Sequence, residues 1–261
     1  MTYTYDSENH MISASGNGKA ITMVYDAFGN RVAKTVNGVT TQYLVEDDVN
    51  PTGYPQVFDE LTGPIGSGAV TRTYTYGLQR ISQNQFMNGA WTPSFYGYDG
   101  GGNVRYLENV AGAVTDTYEY DSYGNEVYRY GSTPNNYMYR AEAFDSDLDL
   151  YYLRARYYNP VSGRFMSRDP EEGKAKDPKT LHKYLYAGGD PVNGIDRSGR
   201  EEAEEEAGFW TEDRKAFATA LLCSAGLHWY AWDLLKGADA DDIAVSGALG
   251  ILGCLTVAWS Y

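Results

Sequence analysis

One six-residue phrase recurs along the first half of the chain: Tyr5-Asp6-Ser7-Glu8-Asn9-His10, Tyr25-Asp26-Ala27-Phe28-Gly29-Asn30, Tyr98-Asp99-Gly100-Gly101-Gly102-Asn103 and Tyr120-Asp121-Ser122-Tyr123-Gly124-Asn125. Tyr5 and Tyr25 stand 20 residues apart and Tyr98 and Tyr120 stand 22 apart. A period in this range marks one supersecondary unit stacked on its neighbours. Each phrase is also turn chemistry, since Asp and Asn bond their own nearby backbone and Gly accepts positive φ. The flanks Thr2-Tyr3-Thr4-Tyr5, Arg72-Thr73-Tyr74-Thr75-Tyr76 and Thr115-Asp116-Thr117-Tyr118-Glu119-Tyr120 alternate polar residues with tyrosine, the period of a strand. The expectation is a mainly β, antiparallel strand-turn-strand array. Its 25 tyrosines, against 8 Phe and 5 Trp, suit a large twisted sheet whose rings pack while their hydroxyls reach polar partners.

Composition narrows function. With 21 basic and 35 acidic residues the formal charge is −14, which repels phosphate backbones, so no nucleic-acid partner is expected. Cys223 and Cys254 are the only cysteines, and neither a disulfide framework nor a C-x-x-C metal site is present. His10, His182 and His228 are far apart and read as surface or packed residues, so no metal and no cofactor is expected. No Ser/His/Asp or Cys/His set can be argued. The glycine cluster from Gly97 to Gly102 lacks the Lys-Ser/Thr of a phosphate loop and reads as a hairpin turn. The N-terminus has no charged n-region and apolar h-region, hence no secretory signal, and it opens as though in mid-repeat. The chain is therefore expected to be the tail of a longer repeat protein or a shortened copy of one.

Three segments follow from texture. Residues 1–136 carry the repeats, interrupted from Val49 to Ala69 by prolines and glycines that mark a loop excursion. Residues 137–199 are aromatic and arginine-rich: Leu150-Tyr151-Tyr152-Leu153-Arg154-Ala155-Arg156-Tyr157-Tyr158-Asn159-Pro160, then Gly163-Arg164-Phe165-Met166-Ser167-Arg168-Asp169-Pro170, and later Asp190-Pro191-Val192-Asn193-Gly194-Ile195-Asp196-Arg197-Ser198-Gly199. Residues 200–261 open on the charged run Arg200 to Glu206, read as a solvated linker or helix start, and continue as a small α-helical hairpin, from about Arg214 to Lys236 and from Asp239 onward.

The second segment resembles the core of the Rhs (rearrangement hotspot) and YD-repeat family, and with the repeats the resemblance covers about residues 1–200. It implies a β-shell that encloses a variable C-terminal toxin or effector, with the core plugging one end; teneurins use a related shell in adhesion. It also implies self-cleavage at the end of the core by an aspartyl-protease-like pair drawn from two Asp-Pro motifs. On this chain the pair falls on Asp169 and Asp196, with Asp177, Asp190 and Arg168 ranked behind them. Two carboxylates brought together can share a proton, one activating water and the other protonating the amide. The chain departs from the pattern at Arg197, where Pro is usual, at Arg200, where Leu is usual, and at Glu172, where Gly is usual. The implied scissile bond follows Arg200.

The reading is a structural shell that encloses or presents its own C-terminal segment in a polymorphic toxin system, exported or at the cell surface, with an immunity protein or further shell repeats as partners. One alternative is self-cleavage that releases the segment; another is a surface adhesion or carbohydrate-contacting module. Ile243 to Tyr261 carries no formal charge over 19 residues, long enough to span a bilayer, with Ser246, Gly250 and Cys254 as a small-residue stripe and Trp259 and Tyr261 suited to an interface. Packing of both helices on the shell, membrane contact by the tail and a shortened toxin remnant all remain open readings.

Overall fold

The computed structural model describes residues 1–48, 52–170, 172–173, 178–200 and 204–205. Twelve strands follow one another as β1 (Thr2–Tyr5), β2 (Met11–Gly16), β3 (Lys19–Tyr25), β4 (Arg31–Val36), β5 (Val39–Glu46), β6 (Gln56–Thr62), β7 (Ala69–Tyr76), β8 (Arg80–Met87), β9 (Ala90–Tyr98), β10 (Val104–Glu108), β11 (Val114–Tyr120) and β12 (Glu126–Tyr130). They form a single antiparallel sheet in sequence order, each strand bonded to the next. The mainly β, antiparallel expectation holds. The stretch from Val49 to Ala69 corrects the sequence reading, because β6 lies inside it and pairs with β5 and β7. Its period was masked by a polar pair, Asp59-Glu60. Glu60 is buried in the sheet, where it accepts from Tyr74 Oη at 2.7 Å and pairs with Arg72 at 3.3 Å.

The repeated phrase builds four hairpins on one rim. Asp26 Oδ1 accepts the backbone N–H of Phe28 and of Asn30, both at 2.9 Å, while the Asp26 N–H donates to the Asn30 carbonyl at 2.9 Å. Asp6, Asp99 and Asp121 repeat the scheme. The fourth residue after the tyrosine takes a left-handed conformation: Gly29 at φ 84° in the second turn, and Asn9 at φ 71° in the first, where no glycine is present. The glycine cluster is the third of these turns, as expected. On the opposite rim, two-residue Asn-Gly loops close β2–β3, β4–β5 and β8–β9, with Asn17, Asn37 and Asn88 at φ 53°, 49° and 52°.

The core segment forms a second antiparallel sheet, β13 (Ala143–Asp145), β14 (Leu150–Leu153), β15 (Arg156–Asn159) and β16 (Arg164–Phe165). This small sheet is packed by both ends of the long one. Met11, Ala14, Ile21 and Met23 close on Leu148, Leu150 and Tyr157, whereas Val104, Leu107 and Tyr118 close on Tyr151, Leu153, Tyr158 and Phe165. The twelve-stranded sheet therefore curves around it. Between those ends Arg31 lies 4.4 Å from the Tyr152 ring centroid and pairs with buried Asp145 at 3.0 Å, and Arg80 sits 3.1 Å from the centroid of Tyr137.

The turn rim is where the core segment docks. Tyr139, Tyr158 and Tyr151 donate their hydroxyls to the carbonyls of Ser122, Tyr123 and Gly124 at 2.8, 2.7 and 3.0 Å, three successive residues of the last Asp turn. Arg140 reaches the third turn, its N–H to Asn103 Oδ1 at 3.0 Å and its Nη1 to the Gly101 carbonyl at 2.5 Å. Beyond the small sheet, β17 (Gly194–Ile195) pairs with β18 (Glu204–Glu205). Two residues of the acidic run are thus in a strand, where the sequence suggested a linker or helix start, because the exposed backbone of β17 offers them a partner.

Residues Met1–Glu205 form one compact unit and Glu206–Tyr261 a second. The expected α-helical hairpin, Cys223, Cys254, His228 and the apolar stretch from Ile243 to Tyr261 lie outside the described residues. Among the described residues no helix is long and apolar enough to cross a membrane.

Candidate functional site

β14 and β15 are joined by a two-residue turn, Arg154-Ala155, with Arg154 at φ 56°, and this tight reversal places Arg156 at the head of β15. The Arg156 side chain is 1% exposed. Its Nη2 lies 2.9 Å from Asp169 Oδ2 and 3.3 Å from Asp196 Oδ2, its Nε donates to the Gly199 carbonyl, and its guanidinium lies 3.6 Å from the Phe165 ring centroid. Burial pushes the Arg156 pKa down while the two carboxylates oppose that, and an arginine in this balance keeps its charge.

The two expected aspartates, 27 residues apart, therefore meet on one guanidinium. Asp196 is wholly buried, and its Oδ1 accepts the Gly199 N–H at 2.8 Å and the Ser198 hydroxyl at 3.2 Å. Asp169 is 18% exposed, follows β16, and is fixed by its N–H to the Lys183 carbonyl at 2.9 Å. Gly199 closes the arrangement at φ 69°, where a Cβ would stand 2.2 Å from the Leu153 carbonyl oxygen, so the chain passes β14 at a distance no side chain allows. The Ala155 N–H to the Ser198 carbonyl at 3.2 Å and Arg154 Nη1 to the Arg197 carbonyl at 2.5 Å hold the same stretch to the β14–β15 turn.

The other candidates fall elsewhere. Arg168 is exposed and contributes its carbonyl to Asn9 at 2.5 Å; the arginine that holds the carboxylates is Arg156. Asp190 is exposed in a turn, bonded to the Asn193 amide at 2.9 Å, and Asp177 lies outside the described residues. Arg156 was missed in the sequence because it stands inside the Tyr-rich string and was read as texture; the usable signal was an arginine in place of an apolar residue in a buried strand.

Chemically the site offers two carboxylates, a peptide carbonyl and one buried cation joining them. No group of three or more His, Cys, Asp or Glu that could hold a metal occurs among the described residues. Alongside lies a cavity of about 390 Å³ lined by His10, Phe28, Ala155, Pro170 and Arg200, among others, next to both Asp169 and the end of the core.

No family model matches the chain. Over 204 residues, 76% of its length, the chain is 33% identical to the tRNA3(Ser)-specific nuclease WapA of Bacillus spizizenii, of which it covers 8%. It is 38% identical over 92 residues to salivary gland surface protein 1 of Aedes aegypti, covering 34% of this chain and 3% of that protein. Among solved structures, TcdB2-TccC3 superposes with a TM-score of 0.57 over 76% of this chain and 10% of that one, at 19% identity. The Photorhabdus luminescens Tc holotoxin pore gives 0.57 over 78% and 10%, at 17% identity. These superpositions carry the fold, and the chain spans less than a tenth of the length of the nucleases it matches.

Proposed function

The chain is of the Rhs type, and from that premise we propose that residues 1–199 are a wall-and-plug segment of a β-shell that encloses or presents residues 200–261 within a polymorphic toxin system. The observation that carries this reading is the double closure of the long sheet on the core segment, with both apolar clusters and the last two Asp turns committed to it. Residues 137–199 then act as the plug, and the chain leaves it at Arg200. WapA is named a tRNA nuclease; a formal charge of −14 gives this chain no comparable reason to hold nucleic acid, so its cargo is assigned no tRNA target. An immunity partner, export and contact of the tail with membranes belong to the same proposal. The test is growth of cells expressing residues 201–261 alone beside cells expressing the whole chain. Arrest by the segment with relief in the whole chain is expected; equal growth in both removes the enclosure reading.

A second reading has its own support. Asp169 and Asp196 converge on Arg156 beside the Gly199 carbonyl, an arrangement consistent with self-cleavage that frees the C-terminal segment. Intact mass of the fresh protein beside its Asp169→Asn form tests it: a break near residue 200 that the variant lacks supports self-cleavage, and full-length mass in both removes it.

A further inference from the structure

Resting on that self-cleavage reading, we propose that the bond cut is Gly199–Arg200, one residue before the position the family pattern implies, and that Arg156 is a catalytic residue which holds the scissile carbonyl. The argument is the geometry of one fork. Nε and Nη2 of a guanidinium present their N–H groups side by side along one edge. Here Nε is on the Gly199 carbonyl and Nη2 is on both Asp169 and Asp196. The carbonyl that shares an edge with the two carboxylates is therefore the one of the Gly199–Arg200 bond. The chain is also held on the near side of that bond, by Gly199 N–H to Asp196 and by Gly199 against the Leu153 carbonyl. Beyond it, Arg200 is exposed, with its N–H on Ser198 Oγ at 3.0 Å, a contact that a leaving amine can give up.

The step is a hydrolysis with water as its co-reactant. The water oxygen bonds to the Gly199 carbonyl carbon as one aspartate takes the water proton. Negative charge develops on the carbonyl oxygen, where the Arg156 Nε–H already points, which is the placement that stabilises such a transition state. The other aspartic acid gives its proton to the Arg200 nitrogen, the C–N bond breaks, and the products are a Gly199 carboxyl group and an Arg200 amine. Arg156 keeps its proton throughout.

The test is peptide-level mass spectrometry of the full chain expressed and held in heavy-oxygen water, with Arg156→Lys and Asp196→Asn alongside. The expected result is a fragment ending at Gly199 with one heavy oxygen in its new carboxyl, formed about a hundredfold more slowly in Arg156→Lys, as for loss of one oxyanion donor, and absent in Asp196→Asn. A fragment ending at Arg200 overturns the bond assignment while leaving self-cleavage standing. Cleavage of Arg156→Lys at the wild-type rate overturns the role of Arg156. An intact chain under all conditions overturns the self-cleavage reading and this inference with it. Mapping the bond on the wild-type chain requires no variant, so the bond assignment is decided even if Arg156→Lys fails to fold.

Discussion

Tyr139, Tyr151 and Tyr158 reach across from the core segment to the carbonyls of Ser122, Gly124 and Tyr123, and the Tyr151 and Tyr158 rings are 1% exposed. A turn carbonyl covered by these rings loses its access to water, so the phenol hydroxyl is its replacement partner. Tyr158→Phe keeps the ring and removes the donor, leaving the Tyr123 carbonyl unsatisfied. The expected cost is about 1–2 kcal/mol, by the usual penalty for an orphaned buried acceptor, measured as a lower midpoint in urea with an unchanged slope. An unchanged midpoint would mean that water replaces the hydroxyl and that the ring alone seats the plug. The same residues show what a sequence can reveal at this scale. That tyrosine rings would pack while their hydroxyls found polar partners followed from their number and alternation, but the partner carbonyls depend on the fold of residues some 17 to 35 positions away.

The attachment of β4 to the small sheet is ionic as well as aromatic. Lys34 Nζ lies 2.7 Å from Asp145 Oδ1 and 3.0 Å from Asp147 Oδ2, and Lys19 lies 3.2 Å from Asp147 Oδ1. Burial alone would raise the Asp147 pKa, but the hydrogen bonds and charges of Lys34 and Lys19 outweigh it and the net shift is downward. A carboxylate with a depressed folded pKa contributes stability that is present above its unfolded value, about 3.9, and is lost as pH falls through the folded one. Thermal midpoints of the wild-type chain should therefore fall on acidification below about pH 4, with a smaller acid loss in Asp147→Asn. Parallel curves for the two proteins would remove this link from the account. Sheet elements were readable in the sequence to the extent that their period was clean. The Tyr-Asp hairpins and their flanking strands carried both turn chemistry and alternation. β6 did not, since a proline- and glycine-rich approach precedes it and Asp59-Glu60 breaks the alternation that buried Glu60 satisfies through Arg72 and Tyr74. The loops at Asn17, Asn37 and Asn88 carried the Asn-Gly hairpin signal in plain form and were overlooked because the longer Tyr-Asp phrase supplied a sufficient repeat.

Across the whole molecule the tyrosines act as a single titrating population. Burial, the largest cause at each, raises Tyr5, Tyr98 and Tyr118 to about 12 and carries Tyr96, Tyr137 and Tyr157 well above their ordinary value. A phenol is neutral when protonated, so a raised folded pKa means that the folded chain holds its protons where the unfolded chain has released them. Stability is then fully present below the unfolded pKa of about 10 and falls as pH rises through the folded values. These side chains line both clusters and the bridge between them, which couples their ionisation to the separation of the long sheet from its plug. Ultraviolet phenolate titration should show an early fraction from exposed rings such as Tyr128 and Tyr130 near pH 10. The remainder should ionise together at higher pH, coincident with loss of the β signal in circular dichroism. A single smooth titration completed while the β signal persists would mean that the plug is solvated and that the curved sheet stands without it. That outcome would also weaken the case for a shell able to hold a cargo behind a closed end.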